Sequence, residues 1–382
     1  MNLTRRKMIF LMGGGAVLAA GGGFGVAATR MPQTAYLPWD RAGGYDDPRM
    51  RALSWALLAP NPHNRQPWLA DLSKEGVITL HADRDRMLPH TDPFNRQITI
   101  GLGCFLELLR IAAAEDGYRA ETDLFPQGRS ATALDARPIA RITLTADPDV
   151  ARDPLFALAP LRRSNKEPFD LTRRVAPENL IKIGVAVQNG AQFGGTVDEA
   201  EVLEWRALTR EALRIEVETP HTFQESVDLF RIGHREVDAN PDGIDFSGPL
   251  FETLRLTGQF SRASAADPTS FAFRSGLEAV FANTDTAMGH VWLVTEDNSR
   301  ETQIATGADW LRVNLAATAQ GLGFQPLSQA LQEFPEMAGP YVQMHERLAP
   351  DGGTVQMLAR IGYGPAVGTS PRWPLESRII NA

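Results

Sequence analysis

The chain has 382 residues, of which 43% are hydrophobic and 22% charged, and its 38 basic and 46 acidic side chains give a net charge of −8. These values exclude a disordered chain, a fibre and a polytopic membrane protein as good interpretations. A mildly acidic chain lacks the excess of basic residues that is typical of a nucleic-acid-binding protein, so no nucleic-acid partner is expected. A single cysteine, Cys104, excludes an intramolecular disulfide and a cysteine-rich metal site. The length suits two domains or one large one.

The N-terminal segment has the pattern of an export signal. Arg5 and Arg6 are adjacent, and residues 8–29 are uncharged, glycine-rich and only moderately hydrophobic. This pattern, with small residues at 26–28, predicts a twin-arginine signal peptide over residues 1–28 and a periplasmic or otherwise exported protein. The twin-arginine export machinery carries folded proteins, which directs attention to a cofactor inserted before export. An uncleaved membrane anchor stays open as the second interpretation, although seven glycines would weaken such a helix.

Apolar periodicity predicts helices and strands in alternation along the rest of the chain. The first helix begins at Asp46-Asp47-Pro48, where an acidic cap precedes a proline. Further helices are predicted over residues 98–114, 177–187, 201–218 and 307–320. Strands are predicted over residues 77–82, 118–125, 139–146, 290–296 and 354–363. Such alternation is typical of an α/β or α+β protein. Proline and glycine interrupt residues 220–268, which predicts an insertion or lid of short helical pieces.

Two of the predicted helices resemble each other. Residues 103–117 align without a gap on residues 307–321 at a constant offset of 204, with four identities in fifteen positions. Each helix is expected to begin at its glycine, Gly103 or Gly307. Chance similarity between alanine-rich helices is the alternative, but the matching order of elements favours a chain of two repeats.

The first candidate functional segment is the loop of residues 59–68, with the sequence APNPHNRQPW. Its amide side chains offer both hydrogen-bond donors and acceptors, which suits the mixed polar edge of a pyrimidine-like ring. The prolines would stiffen the loop and reduce the entropy lost on binding. From composition alone, a surface loop whose Asn and Pro residues simply form turns is the more common interpretation.

The second candidate segment is a basic run at residues 161–169, with the sequence LRRSNKEPF. Two arginines, a hydroxyl and a lysine within five residues would form a compact phosphate site, because guanidinium groups bind phosphate oxygens bidentately. The alternative is a solvated basic turn, which is more common for an isolated pair of arginines.

Together the two segments resemble the FMN-dependent nitroreductase-like family. Arg162, Arg163, Ser164 and Lys166 match the family's FMN-phosphate pattern, whereas Ala59, Pro60, Asn64, Gln66, Pro67 and Trp68 match its flavin-lining loop, with Asn61 replacing a serine. The resemblance covers most of residues 45–375 and implies a nitroreductase-like α+β fold. The flavin contacts that it implies are Pro60, Asn61, Asn64, Gln66, Trp68, Arg162, Arg163, Ser164, Lys166, Pro326, Leu327 and Arg372.

One departure from the family pattern is informative. Ordinary members are homodimers whose two flavin sites combine the basic run of one subunit with the loop of the other. Here the loop precedes the basic run by about a hundred residues, and each segment occurs once. The resemblance is therefore to the tandem, Acg-like subgroup, in which one chain mimics the dimer. It implies a monomer with one composite site, repeat one at residues 36–150, and repeat two at residues 155–375 with a helical lid near residues 220–268.

The resemblance implies an exported FMN-binding oxidoreductase that transfers hydride or electrons from an unknown donor to an unknown acceptor. The alternative is a non-catalytic flavin-binding or sequestering protein with an occluded FMN site; a third, weaker interpretation is a protein that has lost FMN. The flavin would carry the chemistry, so no catalytic residue is predicted. The seven histidines form no metal-ligand spacing, and no metal is expected.

Overall fold

The computed structural model describes residues 30–382, so the predicted signal peptide lies outside the described residues. The α-helices of this region, numbered in chain order, are α1 Leu37–Arg41, α2 Pro48–Ala56, α3 Arg96–Glu115, α4 Pro177–Gly184, α5 Glu199–Glu218, α6 Pro220–Asp228, α7 His234–Ala239, α8 Pro249–Leu256, α9 Arg262–Ala266, α10 Phe271–Thr284, α11 Arg300–Ala319 and α12 Ala338–Leu348. The strands are β1 Trp68–Asp71, β2 Val77–Ala82, β3 Tyr118–Leu124, β4 Ala140–Ala146, β5 Gln192–Thr196, β6 Phe230–Ile232, β7 Ile244–Phe246, β8 Gly289–Thr295, β9 Gly323–Pro326, β10 Thr354–Gly362 and β11 Ile379–Asn381.

The first sheet has the strand order β11-β1-β2-β4-β3. Strands β1 to β4 come from the first part of the chain and pair antiparallel, as short connections between neighbouring strands allow. Its outer strand, β11, is the end of the chain and pairs parallel with β1, with Ala70 opposite Ile379. The C-terminal segment therefore returns to the first sheet and covers an edge that would otherwise be exposed.

The second sheet has the order β5-β8-β10-β9 and is antiparallel throughout. Its strand β10 is buried along nearly its whole length, which is typical of a strand covered on both faces. The segment between α5 and β8 forms a separate small unit with its own two-stranded parallel sheet of β6 and β7. The predicted insertion is therefore built of short helices, and its last helix, α10, extends to Thr284, beyond the predicted boundary.

Helices α3 and α11 cross at the centre of the fold. A Cβ added to Gly103 would lie 2.1 Å from the carbonyl oxygen of Ile304, and one added to Gly307 would lie 2.0 Å from that of Ile100. Only glycine permits so close a backbone approach. The two glycines therefore lie at the crossing rather than at the helix starts, so that prediction was wrong. The contacts are reciprocal at the same offset of 204 residues found in the sequence.

Among the described helices, α3 is the one with a length and hydropathy that would suit a membrane span. However, 94% of its most apolar stretch is buried inside the fold. Its partner α11 carries a buried ion pair to it, with Arg312 Nη1 lying 2.9 Å from Glu107 Oε1. The helix starts are tied across the fold as well. Arg96 Nη1 donates to the carbonyl oxygen of Gln356 at 2.7 Å, and Arg300 Nη2 donates to that of Phe94 at 2.6 Å. These contacts join the first and second parts of the chain into one core.

The predicted α+β class is confirmed, since helices pack on largely antiparallel sheets. The strand predicted at residues 77–82 has the predicted bounds, and α2 begins at Pro48 with Asp47 as its cap. Among the predicted helices the largest difference in bounds is α11, which begins at Arg300, seven residues before the predicted start. The sequence analysis did not predict α12 or the strands β1, β5, β9 and β11. Ser299 supplies the cap, because its hydroxyl accepts a hydrogen bond from the backbone of Thr302.

Candidate functional site

The loop between α2 and β1 has an unusual backbone. His63, Asn64 and Gln66 adopt positive φ angles of 46°, 51° and 53°. A non-glycine residue in this region costs roughly 1–3 kcal/mol and persists only where surrounding contacts enforce it. One such contact is internal, because the Asn61 side-chain oxygen accepts a hydrogen bond of 2.7 Å from the backbone of Gln66. Strain concentrated in one loop indicates a functional site.

The segment of residues 371–373 holds one side of this loop. Arg372 Nη1 donates to Asn64 Oδ1 at 2.7 Å, and Asn64 Nδ2 donates to the carbonyl oxygen of Pro371 at 3.0 Å. The backbone of Trp373 donates to Gln66 Oε1 at 2.9 Å. The guanidinium of Arg372 also binds the carbonyl oxygens of residues 57–59, with distances of 2.7–3.3 Å. The chain end thus fixes the loop that was predicted to line the flavin.

The amide side chains of the loop are engaged within the protein. Gln66 is fully buried, and its Nε2 donates to the carbonyl oxygen of Pro241 at 2.7 Å. Asn61 Nδ2 donates to the carbonyl oxygen of Ala59 at 3.1 Å. These side chains shape the loop in the described structure, and their direct contact with a flavin ring stays a prediction. Trp68 is likewise buried, with its ring centroid 4.8 Å from that of Phe105.

The basic run comes to the same place. Arg162 is buried, and its Nη2 donates to the carbonyl oxygen of Leu58 at 3.1 Å. Arg372 Nη2 donates to that same oxygen at 3.2 Å, so the two guanidinium groups are neighbours. Arg163 and Arg372 also face one indole ring, with guanidinium carbons 4.7 Å and 5.5 Å from the centroid of Trp39. Residues distant in sequence therefore converge on one end of the loop.

The three arginines form an unbalanced cluster of positive charge. Among residues 30–382, Arg162, Arg163 and Arg372 form no ion pair with an acidic residue, and the buried Arg162 Nη1 has no hydrogen-bond partner. Burial, together with the charge of neighbouring arginines, lowers the pKa of Arg162 to about 10 and that of Arg372 to about 9. Buried cations of this kind require an anion. The arrangement suits a phosphate group, which accepts several guanidinium hydrogen bonds.

Ser164 and Lys166 continue the basic run into a cleft. Both side chains are solvent-exposed, yet the protein walls around Lys166 partly desolvate its ammonium group and lower its pKa. Burial, together with the positive charges of Lys166 and Arg65, lowers the pKa of His63 to about 4. Its imidazole is therefore neutral at pH 7. Lys166 therefore contributes positive charge near His63 and Glu216.

Glu216, a buried acid near the end of α5, interacts electrostatically with Lys166. Its Oε2 atom has no hydrogen-bond partner among the described residues, and burial raises its pKa to about 7. The amides of Gln332 and Gln329 and the charge of Lys166 oppose that rise. Neither Glu216 nor Trp39 could be assigned to the site from sequence, because neither belongs to a motif and both depend on tertiary packing.

The second sheet positions the basic run. Arg360 Nη2 donates to the carbonyl oxygens of Asn165 and Glu167 at 3.2 Å and 2.7 Å. Phe169 is buried against glycines that leave room for its ring. A Cβ would lie within 2.9 Å of that ring at Gly323, Gly362 and Gly364. These three glycines of β9, β10 and the residues after β10 thus leave room for the buried ring of Phe169.

Pro326 and Leu327 follow from strand β9. Leu327 is buried in a second hydrophobic cluster, and its backbone donates to the carbonyl oxygen of Leu358 at 2.8 Å. Pro326 is half-buried and lies opposite Ala359 in the sheet. The structure gives neither residue a contact with the arginine cluster, so their role toward a flavin stays a prediction.

Comparison with known proteins gives one consistent result. No family model matches the chain. A Mycobacterium tuberculosis protein with the provisional name NAD(P)H nitroreductase is 24% identical over 334 residues, covering 86% of this chain and 88% of its own. A second, NAD(P)H nitroreductase acg of the same organism and equally provisional in name, is 26% identical over 344 residues, covering 85% and 93%.

Similarity to solved structures is weaker. The FMN-dependent nitroreductase NfnB of Mycobacterium smegmatis, crystallised with NADPH, is 16% identical, has a TM-score of 0.31, and covers 55% of this chain and 92% of its own. The nitroreductase-like α+β fold predicted from the sequence agrees with the names of the two Mycobacterium tuberculosis relatives.

Proposed function

We propose that the chain is an FMN-binding oxidoreductase of the nitroreductase-like family. The observation that carries the proposal is the convergence of Arg162, Arg163 and Arg372, which have no acidic partner among the described residues. A phosphate dianion would offset two of the three positive charges of this cluster and accept the hydrogen bond that the buried Arg162 Nη1 lacks. The relatives named as nitroreductases, similar over most of the chain, support a flavin oxidoreductase.

The residues of the chain would divide the work. Arg162, Arg163 and the exposed hydroxyl of Ser164 would bind the phosphate, and Arg372 would hold the loop against it. Lys166 would supply positive charge in the cleft, where negative charge on a reduced cofactor is stabilised. Bound FMN would supply hydride and electron transfer through its ring. The protein would therefore bind, orient and tune the cofactor.

We further propose that one chain replaces a dimer. Residues 36–150 and 155–375 would be two repeats, with the loop of the first and the basic run of the second forming one composite site. The reciprocal crossing of α3 and α11 at a constant offset supports this arrangement. The return of β11 to the first sheet supports it as well, since it resembles an exchanged subunit arm. The protein is expected to be a monomer that binds one FMN.

Export by the twin-arginine route is also part of the proposal, with residues 1–28 as a cleaved signal or an uncleaved anchor. An exported enzyme would need an electron donor other than the nicotinamide nucleotides named for its relatives. Replacing Arg5 and Arg6 with lysine should leave the protein in the cytoplasm, and fractionation of cells that produce both forms tests this. Equal distribution of both forms would contradict twin-arginine export.

The cofactor assignment is tested on protein purified folded from the cytoplasm. The wild type should be yellow and release one FMN per chain on denaturation, whereas Arg163→Ala should lose the colour. Arg174→Ala is a matched control, because this exposed arginine pairs with Glu199 away from the cluster. A colourless wild type would refute FMN binding, and a yellow Arg163→Ala protein would refute the phosphate assignment.

The second candidate function is flavin sequestration without turnover. The insertion favours this second function, because its residues 241–243 contact the loop of residues 59–68 directly. The two functions are separated by reducing the bound flavin with dithionite and adding nitroaromatic or quinone acceptors. Reoxidation by an acceptor under anaerobic conditions supports the oxidoreductase. Flavin that stays reduced with every acceptor leaves only sequestration.

A further inference from the structure

The insertion meets the strained loop residue by residue. A turn at residues 240–243 lies against residues 64–66, and each of these three loop residues bonds to it. The contacts are Gly243 N to the Asn64 carbonyl oxygen at 3.4 Å, Arg65 Nη1 to Asp242 Oδ2 at 2.8 Å, and Gln66 Nε2 to the Pro241 carbonyl oxygen at 2.7 Å. Residues 371–373 bind Asn64 and Gln66 as well, so two separate segments of the chain hold the loop.

Asp242 is the centre of the first support. It is buried and accepts from Arg65, Arg86 and Arg231 at 2.8, 2.7 and 2.8 Å. Arg65 is fixed further by its 2.9 Å bond to the carbonyl oxygen of Asp85. A buried carboxylate with three guanidinium partners is costly to disturb, because its removal leaves uncompensated buried charge.

The neighbouring residue Asp238 holds a second part of the site. Its carboxylate accepts from the backbone N–H groups of Gln33, Thr34 and Ala35 at 2.8–3.0 Å. This segment leads directly into α1, which carries Trp39 of the arginine cluster. Residues 238–243 therefore contact both the loop of residues 64–66 and the segment of residues 33–35, which leads to Trp39 of the arginine cluster.

We propose that residues 238–243 are a fixed brace, which holds residues 64–66 in their strained conformation before FMN binds, and that Asp242 is a positioning residue of the cofactor site. The sequence predicts that this insertion is a lid. The brace means that its edge at residues 238–243 stays in place, whatever the outer helices of the insertion do. The effect of the brace on affinity rests on the proposed FMN function, but its effect on the loop does not.

The experiment compares the wild-type full chain with Asp242→Ala and a control. Tyr36→Phe is the control, because it removes another bond between the insertion and the rest of the protein, the 2.7 Å contact of the Tyr36 hydroxyl with Asp245. In protein freed of FMN, amide exchange in peptides covering residues 61–68 should accelerate at least about tenfold in Asp242→Ala and stay unchanged in Tyr36→Phe.

Affinity and spectrum provide the second readout. If the binding-competent loop falls to about one tenth of the population, the Kd for FMN should rise about tenfold. At saturating FMN, the visible absorption bands of the bound flavin should shift in Asp242→Ala and not in Tyr36→Phe. A merely destabilised fold would change the melting temperature without that shift. If Asp242→Ala does not fold, Asp242→Asn replaces it, since an amide keeps the shape of the side chain and removes the charge that Arg65, Arg86 and Arg231 share.

The outcomes are separable. Unchanged exchange at residues 61–68 would overturn the brace, and faster exchange with unchanged FMN affinity and spectrum would overturn the positioning role. A wild type that binds no FMN would refute the proposed function, while the exchange comparison would still decide the brace.

Discussion

Glu216 provides a quantitative test of the electrostatics of the cleft. Its carboxyl is buried without a partner for Oε2, and burial raises its pKa from 4.5 to about 7. The charged and polar groups acting on it are Lys166, Glu225, Gln329 and Gln332. Because the folded state binds its proton more tightly than the unfolded state, this carboxyl makes the fold less stable as pH rises from 4.5 to 7. At 1.36 kcal/mol per pH unit the loss reaches at most about 3 kcal/mol.

The variant Glu216→Gln keeps the shape and cannot ionise. Its free energy of unfolding, measured by urea titration of FMN-free protein, should match that of the wild type near pH 4.5 and exceed it by up to about 3 kcal/mol at pH 8. Leu203→Gln, at an exposed position of the same helix, introduces no ionisable group and should change the free energy of unfolding equally at both pH values. If the difference between Glu216→Gln and the wild type were the same at both pH values, the carboxyl would not be a buried acid with a raised pKa.

Three further predictions follow from the core and the arginine cluster. Gly307→Ala should lower the free energy of unfolding by about 3 kcal/mol or more in urea titrations, because its Cβ would meet the Ile100 carbonyl oxygen at 2.0 Å. The control Gly276→Ala, whose Cβ would meet nothing within 4 Å, should be neutral or stabilising. Equal losses in the two variants would contradict the close crossing of α3 and α11. Arg162→Met should weaken FMN binding at least about tenfold in a fluorescence titration, and unchanged affinity would refute the phosphate role. The same variant should raise the melting temperature of the FMN-free protein, because it removes an unpaired buried charge. His290→Met should reduce acid sensitivity, because burial holds the pKa of His290 at about 3, and the fold loses stability as pH falls from 6.5 toward that value; identical acid-unfolding midpoints would contradict a neutral buried imidazole.

The sequence was sufficient wherever local physics decides the outcome. The strand at residues 77–82 alternates in burial and has the predicted bounds, and Asp47-Pro48 begins α2 as capping rules require. The basic run and the amide-rich loop were found from composition and spacing alone. The offset of 204 residues that relates two helices is also visible in the sequence, since both helices keep a glycine at one position.

Tertiary structure decided what those residues do. The sequence suggests that Gly103 and Gly307 begin their helices, but only packing places them at a crossing where a Cβ would clash with backbone. The contacts of Asn64 and Gln66 within the protein were likewise not visible in the sequence: their amides bind residues 371–373, and that of Gln66 also binds the insertion. Such contacts join residues separated by 175 to 307 positions, which no local pattern encodes.

Periodicity thus predicted the α+β class, and the family resemblance marked the candidate cofactor segments, whereas the two-repeat organisation stays a prediction. The charge balance of the site was decided only by the fold. An arginine pair in sequence is usually a solvated turn. It is a candidate anion site here because burial removes water from Arg162 and because Arg372, more than 200 residues further along the chain, lies beside it. Desolvation is a property of the three-dimensional surroundings, so no reading of the sequence alone could supply it.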